Sequence, residues 1–221
     1  MYAISQLLDL THSAAGDYLS QFPYPWQALD GIHDLILSLG NALGREYTQI
    51  QPQVWVHNTA SVASSAYLGA PCIIGPHTEV RHCAFIRGSA LIGCDCVIGN
   101  STEIKNAILF DCVQVPHFNY VGDSILGYCA HMGAGAVTSN VKSDHSIVKV
   151  RLEDSMISSG RMKLGALLGD HAEVGCNSVL NPGTIAGRCS SIYPASCVRG
   201  FIPSYSIYKN TGEIVNKVGK E

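Results

Sequence analysis

Hydrophobic residues follow two different spacings along this chain of 221 residues. In SQLLDL and in WQALDGIHDLILSLGNALG, apolar side chains recur at i, i+3, i+4 and i+7, the spacing of an amphipathic helix. The segment FPYPW separates them, and its prolines break a helix. From about residue 50 the period changes to six. Residues 1–49 are therefore predicted to form a small helical cap, followed by a region that is not helical.

The period of six is the strongest signal in the sequence. It is carried by aliphatic residues at Val56, Val62, Leu68, Ile74, Val80, Ile86, Ile92, Ile98 and Ile104. Small side chains lie four residues further on, at Ala60, Ala66, Cys72, Thr78, Ala84, Ala90, Cys96 and Thr102. The phase then slips by five residues twice, and the period returns late in the chain at Leu168, Val174, Leu180, Ile192 and Val198.

A period of six indicates one short strand and one tight turn per unit. Three units make a triangular coil, with the aliphatic side chain inside each face and the small one near a corner where backbones crowd. Stacked coils pair as parallel strands, so neighbouring coils satisfy each other's N–H and C=O groups. The sequence therefore predicts an all-β solenoid, a parallel β-helix over residues 50–203. Residues 204–221 are predicted to be a C-terminal tail with a hairpin turn at Asn210-Thr211-Gly212.

Composition narrows the class of protein. Apolar residues make up 47% and charged residues only 14%, where about 25% charged is ordinary. A disordered chain has the opposite balance. A formal net charge of −3 provides no broad basic field for nucleic acid. The chain lacks a long apolar run and a basic, signal-like N-terminus, so we expect a cytoplasmic protein without membrane or nucleic-acid partners.

Nine cysteines need an explanation. An odd number in a cytoplasmic chain argues against a disulfide framework. Cys94 and Cys96 form a CxC pair, but no second pair and no histidine follow at the spacing of a zinc site. We therefore expect the cysteines to be small, buried packing residues, and we expect no metal site.

Four segments carry a pattern more specific than the hexads: FIRGSALIG, GNSTEIKNA, VPHFNYVGDSILG and MGAGAVTSN. Through them, roughly residues 80–200 resemble the hexapeptide-repeat acyltransferases. Within these the match is to the C-terminal acetyltransferase domain of the bifunctional enzymes that N-acetylate glucosamine 1-phosphate and uridylate the product. The resemblance implies a left-handed β-helix and a homotrimer. It also implies acetyl-CoA as acyl donor, held in a groove between adjacent helices, and no metal for the transfer.

The resemblance implies roles for individual residues on the acceptor side. His117 matches the catalytic base. Arg87 and Lys105 match the basic residues that hold the sugar phosphate, and Tyr120 and Asn140 match further contacts to it. His131 stands where the family has an asparagine near the reacting centre, which leaves the acceptor open.

On the donor side, the resemblance places Ala134, Gly175 and Cys176 along the CoA groove. Cys176 occupies a position where the family usually has serine.

The chemistry of these residues agrees with such a reaction. Forming an amide needs a free amine, and histidine is the natural base near neutral pH. Backbone N–H groups in a glycine-rich turn can stabilise the oxyanion of the attacked carbonyl. Arg87 and Lys105 are 18 residues apart, one predicted coil. They should stack on one corner and form a shared anion site.

The expected function is CoA-dependent N-acetylation of an amino-sugar phosphate, with glucosamine 1-phosphate the first candidate, in UDP-GlcNAc biosynthesis. No uridyltransferase half is recognisable in the sequence, so a separate nucleotidyltransferase partner is a further expectation. Two alternatives stay open. One is acylation of a nucleotide-linked amino sugar, and the other is a non-catalytic β-helix that binds a sugar nucleotide or a partner.

Residues 141–164 replace a shorter loop of the family. They carry five basic side chains: Lys142, Lys149, Arg151, Arg161 and Lys163. A long excursion from a solenoid is often functional. We expect it to cover the active site or to contact a phosphate of substrate or CoA. A solvated loop or a trimer contact is the alternative.

Overall fold

In the computed structural model, which describes residues 4–152 and 155–217, short helices precede a long array of strands. The α-helices are α1 (Ile4–Leu7), α2 (Gly16–Leu19) and α3 (Ile32–Ala42), with 3-10 helices at Leu10–His12 and Pro25–Gly31. No helix in the described ranges is long and apolar enough to cross a membrane. Strand β1 (Tyr47–Gln51) follows and pairs antiparallel with the first strand of the β-helix.

From Val54 the chain winds through about eight triangular coils. The strands of the first four coils are β2 (Val54–His57), β3 (Ser61–Val62), β4 (Tyr67–Leu68), β5 (Cys72–Ile74), β6 (Glu79–Val80), β7 (Phe85–Ile86), β8 (Ala90–Ile92), β9 (Val97–Asn100), β10 (Glu103–Leu109), β11 (Gln114–His117) and β12 (Tyr120–Leu126). The remaining strands are β13 (His131–Met132), β14 (Val137–Thr138), β15 (Lys149–Leu152), β16 (Ser155–Ser158), β17 (Ala166–Leu168), β18 (Glu173–Val174), β19 (Val179–Leu180), β20 (Thr184–Ala186), β21 (Ser191–Ile192), β22 (Cys197–Val198), β23 (Phe201–Ile202), β24 (Ser206–Tyr208) and β25 (Ile214–Asn216).

The coils stack into three parallel sheets, which we call faces. The first face contains β2, β5, β8, β17, β20, β23 and the C-terminal halves of β10 and β12. The second face contains β3, β6, β9, β11, β13, β18, β21 and β24, and the third contains β4, β7, β14, β19, β22 and the N-terminal halves of β10 and β12. Corners are numbered by the face they follow. The predicted parallel β-helix is confirmed.

The interior follows the hexad pattern. Ile74, Ile92 and Leu109 lie in register on successive coils and are fully buried or nearly so. The small residues four positions on are buried at the corners, where Thr78 accepts a hydrogen bond from the Cys96 N–H at 3.0 Å. Removing this continuous aliphatic column from water is the main force that holds the coils together.

The first face is apolar on its outer side as well. Seven of its outward-facing residues are buried: Trp55, Ile73, Leu91, Ile108, Ile125, Leu167 and Ile185. Phe201, in register with Ile185 on the last coil, is partly exposed. The N-terminal helices cover this surface, since α3 lies against β5, β8 and β10. A Cβ on Gly40 of α3 would lie 2.5 Å from the Trp55 ring, so glycine lets the helix approach. The helical cap thus lies along a face of the β-helix.

Most corners are turns whose third residue has a positive φ, as in type II turns. Cysteines occupy several of these positions, with φ of 60° at Cys83 and Cys112, 53° at Cys129 and 54° at Cys189. Of nine free cysteines only Cys72 and Cys96 are buried. The expectation that all are buried packing residues is wrong for the other seven, because only Cys72 and Cys96 stand at the small, inward-pointing position four residues after an aliphatic residue of the hexad pattern.

The two five-residue slips shorten two coils at the third corner. Ile74 pairs with Ile92, 18 residues on, whereas Ile92 pairs with Leu109 and Leu109 with Leu126, each 17 residues on. The chain turns these two short corners at Asn106 (φ 48°) and Asp123 (φ 49°), inside seven-residue strands. This brings two polar turn residues side by side.

Residues 141–152 and 155–164 leave the β-helix at the third corner. Strands β15 and β16 pair antiparallel, and the base is closed by a bond from the Leu164 N–H to the Asn140 carbonyl at 2.9 Å. Arg161 forms an ion pair with Asp30 of the helical segment. At the other end of the chain, β24 and β25 form an antiparallel hairpin around residues 210–212.

Candidate functional site

The second corner aligns three residues of predicted function. The Gly135 N–H donates to the His117 carbonyl at 3.0 Å, and the Asn177 N–H donates to the Ala134 carbonyl at 2.8 Å. His117, Ala134 and Cys176 therefore occupy the same turn position on successive coils, about 4.8 Å apart per coil. We call this row the second-corner column. It brings the predicted base into line with two of the predicted donor contacts.

The His117 side chain is exposed at this corner. Its backbone N–H donates to Asn119 Oδ1 at 3.1 Å, and within the described residues neither ring nitrogen has a hydrogen-bond partner. The N–H of Ala134, one coil further on, also has no partner in that part of the chain. A free imidazole and a free backbone donor thus lie on neighbouring coils.

Asn119 is a residue that sequence reasoning missed. It is buried, and its Nδ2 donates to the carbonyls of Gly133 and Ala136 at 2.8 and 3.0 Å. It thereby fixes the turn that carries Ala134 to the coil that carries His117. The signal was present, because Asn119 occupies the position four residues after Val115 where other coils have a small residue.

A second group of polar side chains lies at the third corner, around Asp123. This carboxylate is buried and accepts from Asn106 Nδ2 at 2.8 Å and from Asn140 Nδ2 at 2.5 Å, and Lys105 Nζ lies 3.6 Å from it. Asn140 Nδ2 also donates to the Tyr120 hydroxyl at 3.2 Å. We call these five residues the Asp123 cluster. Asp123 was not singled out from the sequence, although it lies in the quoted segment VPHFNYVGDSILG.

Arg87 lies beside this cluster. Its neighbour Ile86 pairs with Ile104, so Arg87 and Lys105 follow in register on adjacent coils, as their 18-residue separation predicts. Arg87 forms an ion pair with Glu103 at 2.8 Å, and this hydrogen bond is the main reason that its pKa is raised. Arg87 and Lys105 therefore each have an acidic neighbour, Glu103 and Asp123, that holds the basic side chain in position.

Tyr120 is a hydrogen-bond donor at neutral pH. Burial raises the pKa of its hydroxyl, and the charges of Asp123 and Glu103 raise it further. The proton stays on the oxygen, which already accepts from Asn140. The hydroxyl can therefore donate to a negatively charged or oxygen-rich acceptor.

Of the remaining predicted residues, His131 lies on the second face and Gly175 lies at the second corner beside Cys176. His131 Nδ1 lies 2.8 Å from Glu173 Oε2 on the next coil, and neither side chain bonds to the Asp123 cluster. Gly175 precedes Cys176, and a Cβ there would collide with the backbone of Pro194. Within residues 4–152 and 155–217, no three His, Cys, Asp or Glu side chains group closely enough to hold a metal ion.

Part of this chain matches a family of known proteins. The family described as the GMPPB C-terminal domain matches residues 71–185. A bifunctional sugar-1-phosphate nucleotidylyltransferase/acetyltransferase of Sulfurisphaera tokodaii is 32% identical over 180 residues, which cover 79% of this chain and 44% of the relative. A bifunctional protein GlmU of Methanocaldococcus jannaschii is 33% identical over 116 residues, 52% of this chain and 28% of the relative.

Among solved structures, the acetyltransferase domain of PglB from Neisseria gonorrhoeae, in complex with acetyl coenzyme A, has a TM-score of 0.38 and 16% identity over 79% of this chain and 60% of that one.

The chain spans less than half the length of the two curated relatives. The matched region holds the Asp123 cluster and the whole second-corner column, and it exceeds half of the 221 residues. This chain belongs to the family of the GMPPB C-terminal domain.

Proposed function

We propose that this chain is a CoA-dependent acetyltransferase that N-acetylates an amino-sugar phosphate, with glucosamine 1-phosphate as the first acceptor to test. One observation carries the proposal. The free imidazole of His117 lies at the second corner, and Tyr120 of the Asp123 cluster begins the next strand only three residues later. One short segment thus joins a base to a group of side chains suited to a phosphorylated sugar.

The acceptor is assigned to the Asp123 cluster and Arg87. A guanidinium and an ammonium on adjacent coils suit a phosphate, because a fork and a point charge together satisfy its oxygens. In the proposal, the Tyr120 hydroxyl and the Asn140 amide orient sugar hydroxyls. Asp123 contacts no acceptor in this scheme, and its buried carboxylate positions Lys105 and Asn140.

The acyl donor is assigned to the second-corner column. The sugar amine attacks the thioester carbonyl carbon, and His117 takes the proton that the nitrogen loses. The Ala134 N–H is available to stabilise the negative charge that develops on the carbonyl oxygen. The intermediate collapses by breaking the C–S bond, and the protonated His117 returns a proton to the leaving CoA sulfur. The name of the Sulfurisphaera tokodaii relative, which includes an acetyltransferase, supports this donor chemistry.

A homotrimer is part of the proposal. Tyr67 and Phe85 are 60% and 42% exposed on the third face, with ring centroids 5.5 Å apart. Exposed aromatic residues on a flat parallel face favour a protein contact. Analytical ultracentrifugation of the wild type and of Phe85→Asp tests it, with loss of a 3-fold assembly expected in the variant. A separate nucleotidyltransferase partner and a cytoplasmic location remain predictions from the sequence.

Release of the CoA thiol, followed with acetyl-CoA and glucosamine 1-phosphate, tests the function. We expect His117→Ala to lose roughly 100-fold or more of kcat, as for removal of a general base. His82→Ala is the matched control, because His82 occupies the same turn position two coils earlier and bonds to Ser65. It should retain wild-type activity.

An acceptor panel that includes a nucleotide-linked amino sugar separates the candidate acceptors. If the wild type binds acetyl-CoA but acetylates only the nucleotide-linked sugar, that sugar replaces glucosamine 1-phosphate as the proposed acceptor. A wild type that neither binds acetyl-CoA nor turns over would contradict the enzyme assignment and favour the scaffold.

A further inference from the structure

A cavity of about 860 Å³ lies between the excursion and the third corner of the sixth and seventh coils. Strand β15 and its flanking residues form one wall, and Asn181, Gly183 and Gly200 form part of the other. Its size is that of a small-molecule site. Ser139 and Val141 also line it, and they flank Asn140 of the Asp123 cluster. The cavity therefore adjoins the proposed acceptor site.

The wall between the hairpin and the coils is shaped by two glycines. Gly183 and Gly200 both have positive φ, of 78° and 90°. A Cβ on Gly183 would lie 2.9 Å from Val148, and a Cβ on Gly200 would lie 3.2 Å from Cδ of Arg151. Glycine at these corners thus leaves room for the hairpin and for the Arg151 stem beside Arg199.

Among residues 4–152 and 155–217, four basic side chains and one acidic side chain line the cavity. Strand β15 alternates between exposed and buried residues, so Lys149 and Arg151 point away from the buried Val150. Lys149, Arg151 and Arg199 form no ion pair with any residue in the described ranges. The acid is Asp144, and it is already bonded to Lys142 at 3.3 Å and to Ser146.

Three cations around one cavity, each without an acidic partner among the described residues, favour a ligand with more than one negative charge. A diphosphate esterified at both ends carries two charges, as a phosphate monoester does, but it divides them between two phosphoryl groups and so presents separate oxygens to each arginine. The guanidinium forks of Arg151 and Arg199 match phosphate geometry better than lysine does. The cavity also has room for a group larger than the diphosphate itself.

We propose that the cavity between β15 and the corners at Gly183 and Gly200 binds a diphosphate group through Arg151, Arg199 and Lys149. Two molecules present this chemistry: the donor CoA and a nucleoside diphosphate attached to the acceptor sugar. The inference extends the proposed function by naming a second anion site for one of its substrates, but the binding does not depend on acetyl transfer.

Isothermal titration of the full chain with inorganic pyrophosphate tests the site. We expect Arg151→Gln/Arg199→Gln to bind pyrophosphate at least about tenfold more weakly than wild type, because two charge-assisted contacts are lost. Arg81→Gln is the control, since Arg81 is an exposed arginine on the second face, paired with Glu79. It should bind as the wild type does. If the double variant does not fold, Lys149→Gln alone should still weaken binding several-fold.

Further titrations with UDP, CoA and pantetheine identify the source. Weaker binding of UDP to the double variant would assign the site to a nucleotide-linked acceptor. Weaker binding of CoA with unchanged binding of pantetheine would assign it to the donor. The proposal is wrong if wild type does not bind pyrophosphate, or if the double variant binds pyrophosphate as tightly as wild type. An inactive but pyrophosphate-binding protein would contradict only the proposed function.

Discussion

The ammonium of Lys105 lies 3.6 Å from the Oδ2 atom of Asp123, a carboxylate that is only 3% exposed. Asp123 turns a shortened corner, and the same side chain accepts hydrogen bonds from Asn106 and Asn140. A buried carboxylate with three partners is held in one position. Lys105 and Asn140 are therefore presented to the acceptor by a rigid support.

Replacing Asp123 by asparagine should disturb both stability and acceptor binding. Asparagine tolerates the positive φ, but its amide N–H would face an amide donor of Asn106 or Asn140. We expect a loss of about 1–3 kcal/mol in the free energy of unfolding, measured by urea titration. We also expect a larger rise in KM for the acceptor than fall in kcat, because Lys105 loses its support.

Asp95→Asn is the control for this variant. Asp95 has the same left-handed backbone, with φ 53°, but its side chain is exposed and makes no hydrogen bond with the described residues. Its stability and KM should stay at wild-type values. Equal effects of the two substitutions would show that the backbone, and not the buried contacts, determines the result.

Asn119→Ala should loosen the second corner without a steric cost. Alanine occupies the equivalent position at Ala84 and Ala136, so the side chain fits. The carbonyls of Gly133 and Ala136 would lose their donor, which costs about 1–3 kcal/mol of stability. Because the turn carrying Ala134 is released, kcat should fall more than the acceptor KM rises.

Ser196→Ala serves as the matched substitution. It removes one hydrogen bond within a single turn, to the carbonyl of Tyr193, far from His117 along the axis. Thermal melts and steady-state kinetics should show a smaller destabilisation and normal kcat. A normal kcat for Asn119→Ala as well would remove Asn119 from the positioning of the donor site.

Gly99→Ala should be among the most damaging single methyl additions. A Cβ at this position would overlap the Pro116 carbonyl oxygen on the next coil, next to His117. Neither backbone can move without separating the coils, so we expect a loss of about 3 kcal/mol and a displaced His117. Gly160→Ala is the control, because nothing lies within 4 Å of its Cβ position. The positive φ of Gly160, 72°, is therefore the only expected source of destabilisation, and it should cost about 1 kcal/mol.

The buried thiol of Cys72 should make the protein less stable at alkaline pH. Burial raises the pKa of its thiol from 9.0 to about 12. The unfolded chain therefore releases this proton above pH 9 while the folded chain retains it. The contribution of this pKa difference to the free energy of unfolding is present in full below pH 9. It is lost at up to about 1.4 kcal/mol per pH unit as the pH rises toward 12.

The measurement compares wild type with Cys72→Ala by chemical denaturation between pH 7 and 11. Alanine suits the site, because Cys72 pairs with Ala90 in the same column. The stability of wild type relative to the variant should be constant up to pH 9 and then decline. A parallel pH dependence for the two proteins would contradict the assignment to Cys72.

Much of the fold was predictable because the β-helix repeats a local rule. The hexad spacing located the buried aliphatic residues, and the 18-residue separation of Arg87 and Lys105 placed them on adjacent coils. The pairing of Lys105 with Asp123 was not predictable in this way. It depends on a corner shortened by one residue and on the desolvation of a carboxylate, and neither is a property of spacing alone.

The coil follows directly from the amino-acid sequence, because a large side chain every six residues can be buried only if the chain folds back on itself at that interval. The sequence also indicates that the first face is covered. Aliphatic residues such as Ile73 and Leu91 directly precede the inward-facing ones there, and an exposed face would have polar residues at these positions. Three features become visible only in the folded chain: α3 covers this face, Asn119 connects two turns, and β15 lines a cationic cavity. These features join residues far apart in sequence, and their contacts exist only after the coils have stacked.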